Sequence, residues 1–431
     1  MSEGVRLLRP QRDQMRLEVV DLDSQLPPDH PARMVWGFVE AQDLQPLRER
    51  IKSRAGEPGR PASDPAVLLA LWLYATVDGV GSARAIERLC GQHAAYRWIA
   101  GGVPANHDML SQFRREGGDW LDAMLTRSLG GLIAEGLLSL EEVAVDGTKT
   151  RARAGQSSLA GPRRLDRVRQ AVGEHIAQLR AELDLGPTEA ERRRQQRRLR
   201  AAEQREERIK RATKRMEEFE ADKEARAKRD KREAARPQKV SLSDPEVRRM
   251  RMPDGATAPA WNVQVATAGG FIVGIEPTER RNDSGLVPDM VMQIQRRCAR
   301  LPERLLADQT AMPIKDIAEL GETDPALCIY SPVPAARAEI SAAAARVRSS
   351  QRRHEPQAVK AWRERMGSEE AQAVYGRRKL TEWVHAMMKN RGFGRMPVHG
   401  LKKVRVVCLL HALAHNLCHA HTRRSAAVVP V

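Results

Sequence analysis

Tyr375, Arg378, Glu382 and Lys389 stand at i, i+3, i+7 and i+14 in the stretch from Val374 to Lys389. At about 3.6 residues per turn, these spacings keep all four near one face of a single helix. Val374, Leu380, Val384, Met387 and Met388 supply apolar surface beside them. An acid flanked by cations on one face suits a site that holds a metal ion and grips phosphate oxygens. The same spacing also suits an amphipathic helix with ordinary ion pairs.

Two further acids follow short apolar runs. Glu142-Val143-Ala144-Val145 reads as a strand that delivers Asp146 at its C-terminal end, followed by a turn at Gly147. A carboxylate at a strand end, beside backbone that can be approached closely, is a common metal-ligand position, and also a common turn residue. Arg304-Leu305-Leu306-Ala307 leads in the same way into Asp308. A rival constellation is His411, His415, Cys418, His419 and His421, three of whose histidines step by four as a zinc site on one helix face would require. The plainer reading is an apolar helix through Val406, Leu410, Leu413 and Leu417 with its histidines turned outward.

The pattern Y-x2-R-x3-E-x6-K, with Arg391-Gly392-Phe393, His399 to Val404 and His415-Asn416-Leu417 downstream, resembles the signature of DDE insertion-sequence transposases of the insertion-sequence eleven-eighty-two type. Gly59-Arg60-Pro61, Gly81-Ser82-Ala83-Arg84, Tyr96-Arg97-Trp98 and Phe113-Arg114 are similar to the N-terminal region of the same group. The resemblance implies a catalytic trio of Asp146, Asp308 and Glu382 that holds Mg²⁺ or Mn²⁺, two ions, for cleavage and strand transfer of DNA. Hard oxygen ligands without His or Cys suit those metals. It implies that Tyr375, Arg378, Lys389 and Arg391, with Lys149 and Arg151, hold DNA phosphates. It further implies an N-terminal region that binds terminal repeats, a homodimer in the synaptic complex, and a bacterial, nucleoid-associated protein. The residues after Asp308 (Gln309-Thr310-Ala311) depart from the family pattern, which leaves Asp283 and Asp316 as substitutes for the second acid. A decayed copy that binds DNA without cutting it, and a nuclease of the same fold, are the other readings.

These residues need elements to position them. The chain has 431 residues, with 73 Lys and Arg against 56 Asp and Glu, a net charge of +17. Such an excess points to a polyanionic partner, double-stranded DNA first. No apolar run reaches the ~20 residues of a membrane span. Five cysteines without a CxxC pair fit a reducing cytoplasm rather than a disulfide framework. Aromatics are 4% of residues, too few for a single-strand stacking platform.

The organisation expected is α+β. Residues 1–138 form an all-α domain of short helices, in which Val67, Leu68, Leu71, Trp72 and Ala75 make one buried stripe. Residues 139–154 and 244–424 form an RNase H-like mixed-sheet catalytic domain. Its strands include Trp261–Val265 and Phe271–Ile275, joined by a hairpin turn at Gly269-Gly270. Residues 155–243 interrupt it with an antiparallel helical hairpin of coiled-coil character, over about 164–185 and 189–235. Thr188 to Glu191 has a capping-box pattern there.

Overall fold

The computed structural model describes residues 21–51, 53, 61–185, 188–227, 238–334 and 354–428. The loop expected around 56–60, the helix break at 186–187, the arm beyond 227 and the helical character expected over 335–353 lie outside the described residues.

The N-terminal part is helical: α1 (Pro31–Glu40), α2 (Gln45–Arg48), α3 (Pro65–Val77), α4 (Ala83–Gln92), α5 (Ala94–Ala100), α6 (His107–Glu116) and α7 (Gly118–Ala134). Asp64 caps α3 by accepting from the Ala66 amide at 2.8 Å, with Pro65 in the first turn. α3 is not the one-sided helix that the stripe predicts. It is buried all round from Val67 to Thr76, because it is apolar on every face and packs against α1, α5 and the last helix of the chain.

The sheet contains β1 (Glu142–Arg151), β4 (Arg248–Arg251), β5 (Thr257–Ala268), β6 (Phe271–Thr278), β7 (Arg304–Ala307) and β8 (Cys328–Tyr330). β1, β5 and β6 are antiparallel neighbours, and β7 and β8 run parallel to β1 on its other side. β4, which the sequence pattern does not reveal, pairs with the first part of β5. Gly269 and Gly270 form the β5–β6 turn with φ of 54° and 86°, values that glycine adopts freely.

Helices α10 (Val287–Cys298), α11 (Ile314–Thr323), α12 (Gln357–Arg365), α13 (Glu369–Gly376), α14 (Lys379–Met388) and α15 (Leu401–Val428) complete the body. α15 packs on α3, α7 and β6, so one apolar cluster runs from Leu26 in the helical part to Ala420. Among the described residues, no helix is long and apolar enough to cross a membrane.

Between β1 and β4 the chain leaves the body as α8 (Pro162–Asp184) and α9 (Glu189–Ala227), a helical hairpin closed at its base by a two-stranded ribbon of β2 (Leu159–Ala160) and β3 (Val240–Ser241). The Thr188 amide donates to the Glu191 carboxylate at 3.0 Å, one half of a capping box, and the Thr188 hydroxyl donates to the same oxygen at 2.6 Å. Leu165, Val172, Ile176 and Leu179 pack against Ile209, Ala212, Met216 and Phe219 in a cluster separate from the main core.

A hairpin with its own core and a ribbon at its base is removable. Replacing residues 162–239 with a short Gly/Ser linker should leave the body with a single cooperative thermal unfolding transition. Loss of that transition would show that the arm is part of the main folding unit.

Candidate active site

The site starts from strand register. Parallel pairing sets Glu142, Val143, Ala144 and Val145 against Arg304, Leu305, Leu306 and Ala307. The next residues in step are Asp146 and Asp308, so the two acids leave neighbouring strands side by side and on the same face. Strand spacing puts their backbones roughly 5 Å apart. The expected strand end is only half realised: β1 continues to Arg151, and Asp146 lies where its parallel pairing stops. Gly147 is therefore a strand residue, not a turn.

Helices α13 and α14 cover this face. Val374 packs on Ala144 and Leu306, and the Thr381 and Thr267 hydroxyls meet at 2.7 Å. Thr267 is the cross-strand partner of Ala144, two residues before Asp146 on the same face. The single helix expected from Val374 to Lys389 is in fact two. After Gly376, a poor helix former, the path tightens. The amides of Arg377, Arg378, Leu380 and Thr381 each donate to the carbonyl three residues earlier. Tyr375 ends α13, Arg378 precedes α14, Glu382 stands in its first turn and Lys389 caps its far end.

The break turns Arg378 into the site. Its Nη1 lies 2.9 Å from Asp146 Oδ2 and its Nη2 lies 3.5 Å from Glu382 Oε1. Its charge also reaches Asp308, and its guanidinium sits 5.8 Å from the centre of the Tyr375 ring. Burial pushes the Asp146 carboxyl up, and outweighs the pull of Arg378 in the other direction. Burial also acts upward on Asp308. There the Thr310 hydroxyl and amide, both donating to Oδ2, together with Arg378, bring the group below its ordinary value. Burial works against the Arg378 charge, but Asp146 foremost holds it above its ordinary value. Among the described residues, no three carboxylate, imidazole or thiol groups are arranged to hold a metal ion. The three acids are gathered about a guanidinium instead.

Asp283 approaches from the other side of the sheet, where its charge adds to the effect of burial in pushing the Asp146 carboxyl up. Its Oδ1 accepts from Asn262 Nδ2 at 2.7 Å and Gln264 Nε2 at 2.6 Å. Those residues pair with Lys149 and Gly147, on the sheet face opposite Asp146. A Cβ on Gly147 would stand 2.1 Å from Asp283 Oδ1, so the glycine leaves room for this carboxylate. The composition did not single out this lock. Its signal is Asn262 and Gln264 at period two, polar and fully buried in an apolar strand. Asp316 is buried near Gly285, and burial foremost raises its pKa; it makes no contact with Arg378.

The remaining candidates spread outward. Arg151 pairs with Asp254 at 2.5 Å and bridges to Arg395 through the backbone. Lys149 lies on β1, opposite Asn262. Arg391 follows α14 at a kink where the backbone leaves the helical conformation, against Gly79 of the N-terminal part. Of the histidines of α15, His421 is exposed as expected, but His411 and His415 are buried and His419 is partly so. His415 and His419 meet the carbonyls of Gly270 and Gly269 at 2.9 and 3.0 Å, and Asn416 makes both hydrogen bonds with the Ile272 backbone. His411 is buried against Phe393. These residues bind the last helix to the β5–β6 hairpin.

Two family models match this chain. One, described as a transposase domain (DUF772), covers residues 20–116; the other, a transposase DDE domain, covers residues 337–421. Together they support a DDE transposase family and imply that the protein binds DNA. No curated protein and no solved structure matched the chain.

Two predictions follow from this packing. Gly147→Ala should destabilise the protein by about 1–3 kcal/mol through overpacking against Asp283. Asp283→Ala in the same chain should recover part of that loss, and additive effects in denaturant unfolding would contradict the clash. The second concerns pH. Burial foremost pushes His415 down to about 4 and His411 to about 3, so the folded state holds both neutral. Their contribution is complete above the unfolded value near 6.5 and is lost as pH falls toward 4, by up to about 1.4 kcal/mol per pH unit for each. Stability should drop between pH 6.5 and 5, with a shallower slope in His415→Gln. Equal stability at both pH values would contradict this assignment.

Proposed function

We propose that this chain is an insertion-sequence transposase of the Y-R-E-K type, acting on DNA through Asp146, Asp308 and Glu382. The observation that carries the reading is the β1–β7 register, which brings Asp146 beside Asp308 beneath the helix bearing Glu382. The strand order β6-β5-β1-β7-β8, three antiparallel then two parallel, supports an RNase H-like catalytic unit. The family matches, one N-terminal to these strands and one C-terminal to them, support the same class.

The donors are carboxylate oxygens, which suit Mg²⁺ or Mn²⁺. The cluster already surrounds one positive charge, so its chemistry fits a cation. Asp146, Asp308 and Glu382 would hold two ions, which supply charge stabilisation and an activated oxygen for in-line displacement at phosphorus. Thr310 holds Asp308 ionised and oriented. Arg378 neutralises the acids before substrate arrives and, with Tyr375, stands ready to hold a phosphate oxygen once the carboxylates are otherwise engaged. Lys389, Arg391, Lys149 and Arg151 hold flanking phosphates. The helical part, residues 21–138, binds terminal repeats, and two copies act together in the synaptic complex.

The test compares wild type with Asp146→Asn and Glu382→Gln on labelled element ends in Mg²⁺ and Mn²⁺. Wild type should generate new 3′ ends and join them to target DNA. Both variants should bind the ends yet lose cleavage and joining together, because one set of ligands serves both steps. Variants that cut as well as wild type would remove these acids from the mechanism. A wild type that binds but never cuts in either metal would make the chain a DNA binder only.

A further inference from the structure

Away from the acids, a cavity of about 280 Å³ opens where the α3–α4 turn, α6 and the turn after α14 meet. Arg114, Arg391 and Arg395 line it, and no carboxylate does. Arg114 is fixed in place: its guanidinium stacks 4.2 Å over the Trp72 ring and its Nη1 donates to the Gly81 carbonyl at 2.9 Å. Arg391 Nη1 is buried with no hydrogen-bond partner. Arg153 stands close by, donating to the Pro397 carbonyl at 2.9 Å, and its own carbonyl lies 3.5 Å from Arg395 Nη2. Among the described residues, none of these four arginines has a carboxylate partner.

The walls add to the positive field. Gly81 and Ser82 line the cavity at the N-terminus of the ten-residue helix α4, whose dipole favours an anion, although Ser82 itself accepts from the Ala85 amide. The notch is also closely fitted. A Cβ on Gly81 would approach Pro397 at 3.2 Å, and one on Gly392 (φ 86°) would meet the Gly79 carbonyl oxygen at 3.0 Å. Burial, then the charge of Arg153, pulls Arg114 down to about 10, so it stays charged at neutral pH, with no carboxylate partner among the described residues. Like charges gathered in a preformed, acid-free notch are stabilised by an anion that enters it.

We propose that this notch is a phosphate-binding site that takes one phosphodiester of the DNA backbone, through Arg114, Arg391 and Arg395 and the start of α4. The assignment of the anion to DNA rests on the functional reading above. Arg391 lies three residues past the end of α14, so roughly 9 Å of helix separates Glu382 from the turn that carries it. That separation suits a backbone phosphate a few nucleotides from the one being attacked. The site joins the helical part to the catalytic part across a single phosphate.

The test measures binding of a short fluorescent duplex of arbitrary sequence to the full chain, without divalent metal, across a salt series. Arg395→Ala and Arg391→Ala should each weaken binding, and the double variant should flatten the dependence of log K on log salt by about one unit, the share of a single phosphate. Arg395 is exposed, so its variant keeps the wild-type melting temperature and remains decisive if Arg391→Ala folds poorly. Unchanged affinity in Arg395→Ala and an unchanged slope in the double variant, with wild-type binding intact, would overturn the phosphate site alone. A wild type without duplex affinity would overturn the functional reading as well. A parallel melting series with inorganic phosphate separates the sources. Stabilisation of wild type but not Arg395→Ala, with unchanged DNA slopes, would make the ligand a free anion and overturn the DNA assignment.

Discussion

Two carboxylates side by side on neighbouring strands repel one another unless a positive charge lies between them. Asp146 and Asp308 are in that position by register, and much of the surrounding structure serves to deliver the charge. The Thr267–Thr381 contact seats α14 on the sheet, and the tightened path after Gly376 aims Arg378 back at the strands. Glu382 then meets the same guanidinium from above. Arg377, one residue earlier, pairs with Glu142 at 3.3 Å and fixes the break at its other end. A straight helix through these positions would carry the four signature residues along one face without folding Arg378 into the acids.

The strands were legible because their apolar runs are short and bounded, and the hairpin because two glycines interrupt an alternating pattern. The arm was legible from its three-four spacing and from Thr188 and Glu191. What local pattern missed was long-range. The extension of β1 past Asp146 is set by its pairing with β5, and the burial of α3 on all sides by a helix more than three hundred residues away. Asp283 was marked as a spare acid, but nothing near it in sequence shows that Gly147 makes room for it. The histidines of α15 read as outward because a polar residue on an apolar helix usually is. Here the carbonyls of Gly270 and Gly269 receive His415 and His419, and only His421 stays outward.

α15 is the element on which the separate parts converge. It carries the hydrogen bonds to the hairpin turn and to Ile272, and its Arg405 reaches both Glu276 of the sheet and Asp122 of α7. Arg297 of α10, fully buried at its side chain, meets the same Asp122 at 2.6 Å. Breaking one partner of a buried pair costs far more than the pair contributes. The helical part and the sheet are therefore joined by charge as well as by a common apolar core.

That shared core has a consequence for how the chain is made. α3, apolar on every side, leaves the ribosome long before residues 401–428, the surface against which it finally rests. At about 5–20 residues per second, the interval is on the order of tens of seconds. Through that time the face of α3 that α15 finally covers stays open to the cell, and an apolar face of this kind is what holding chaperones recognise. Synthesis rate and chaperone supply thus become determinants of how much protein reaches its final form, independently of how stable that form is.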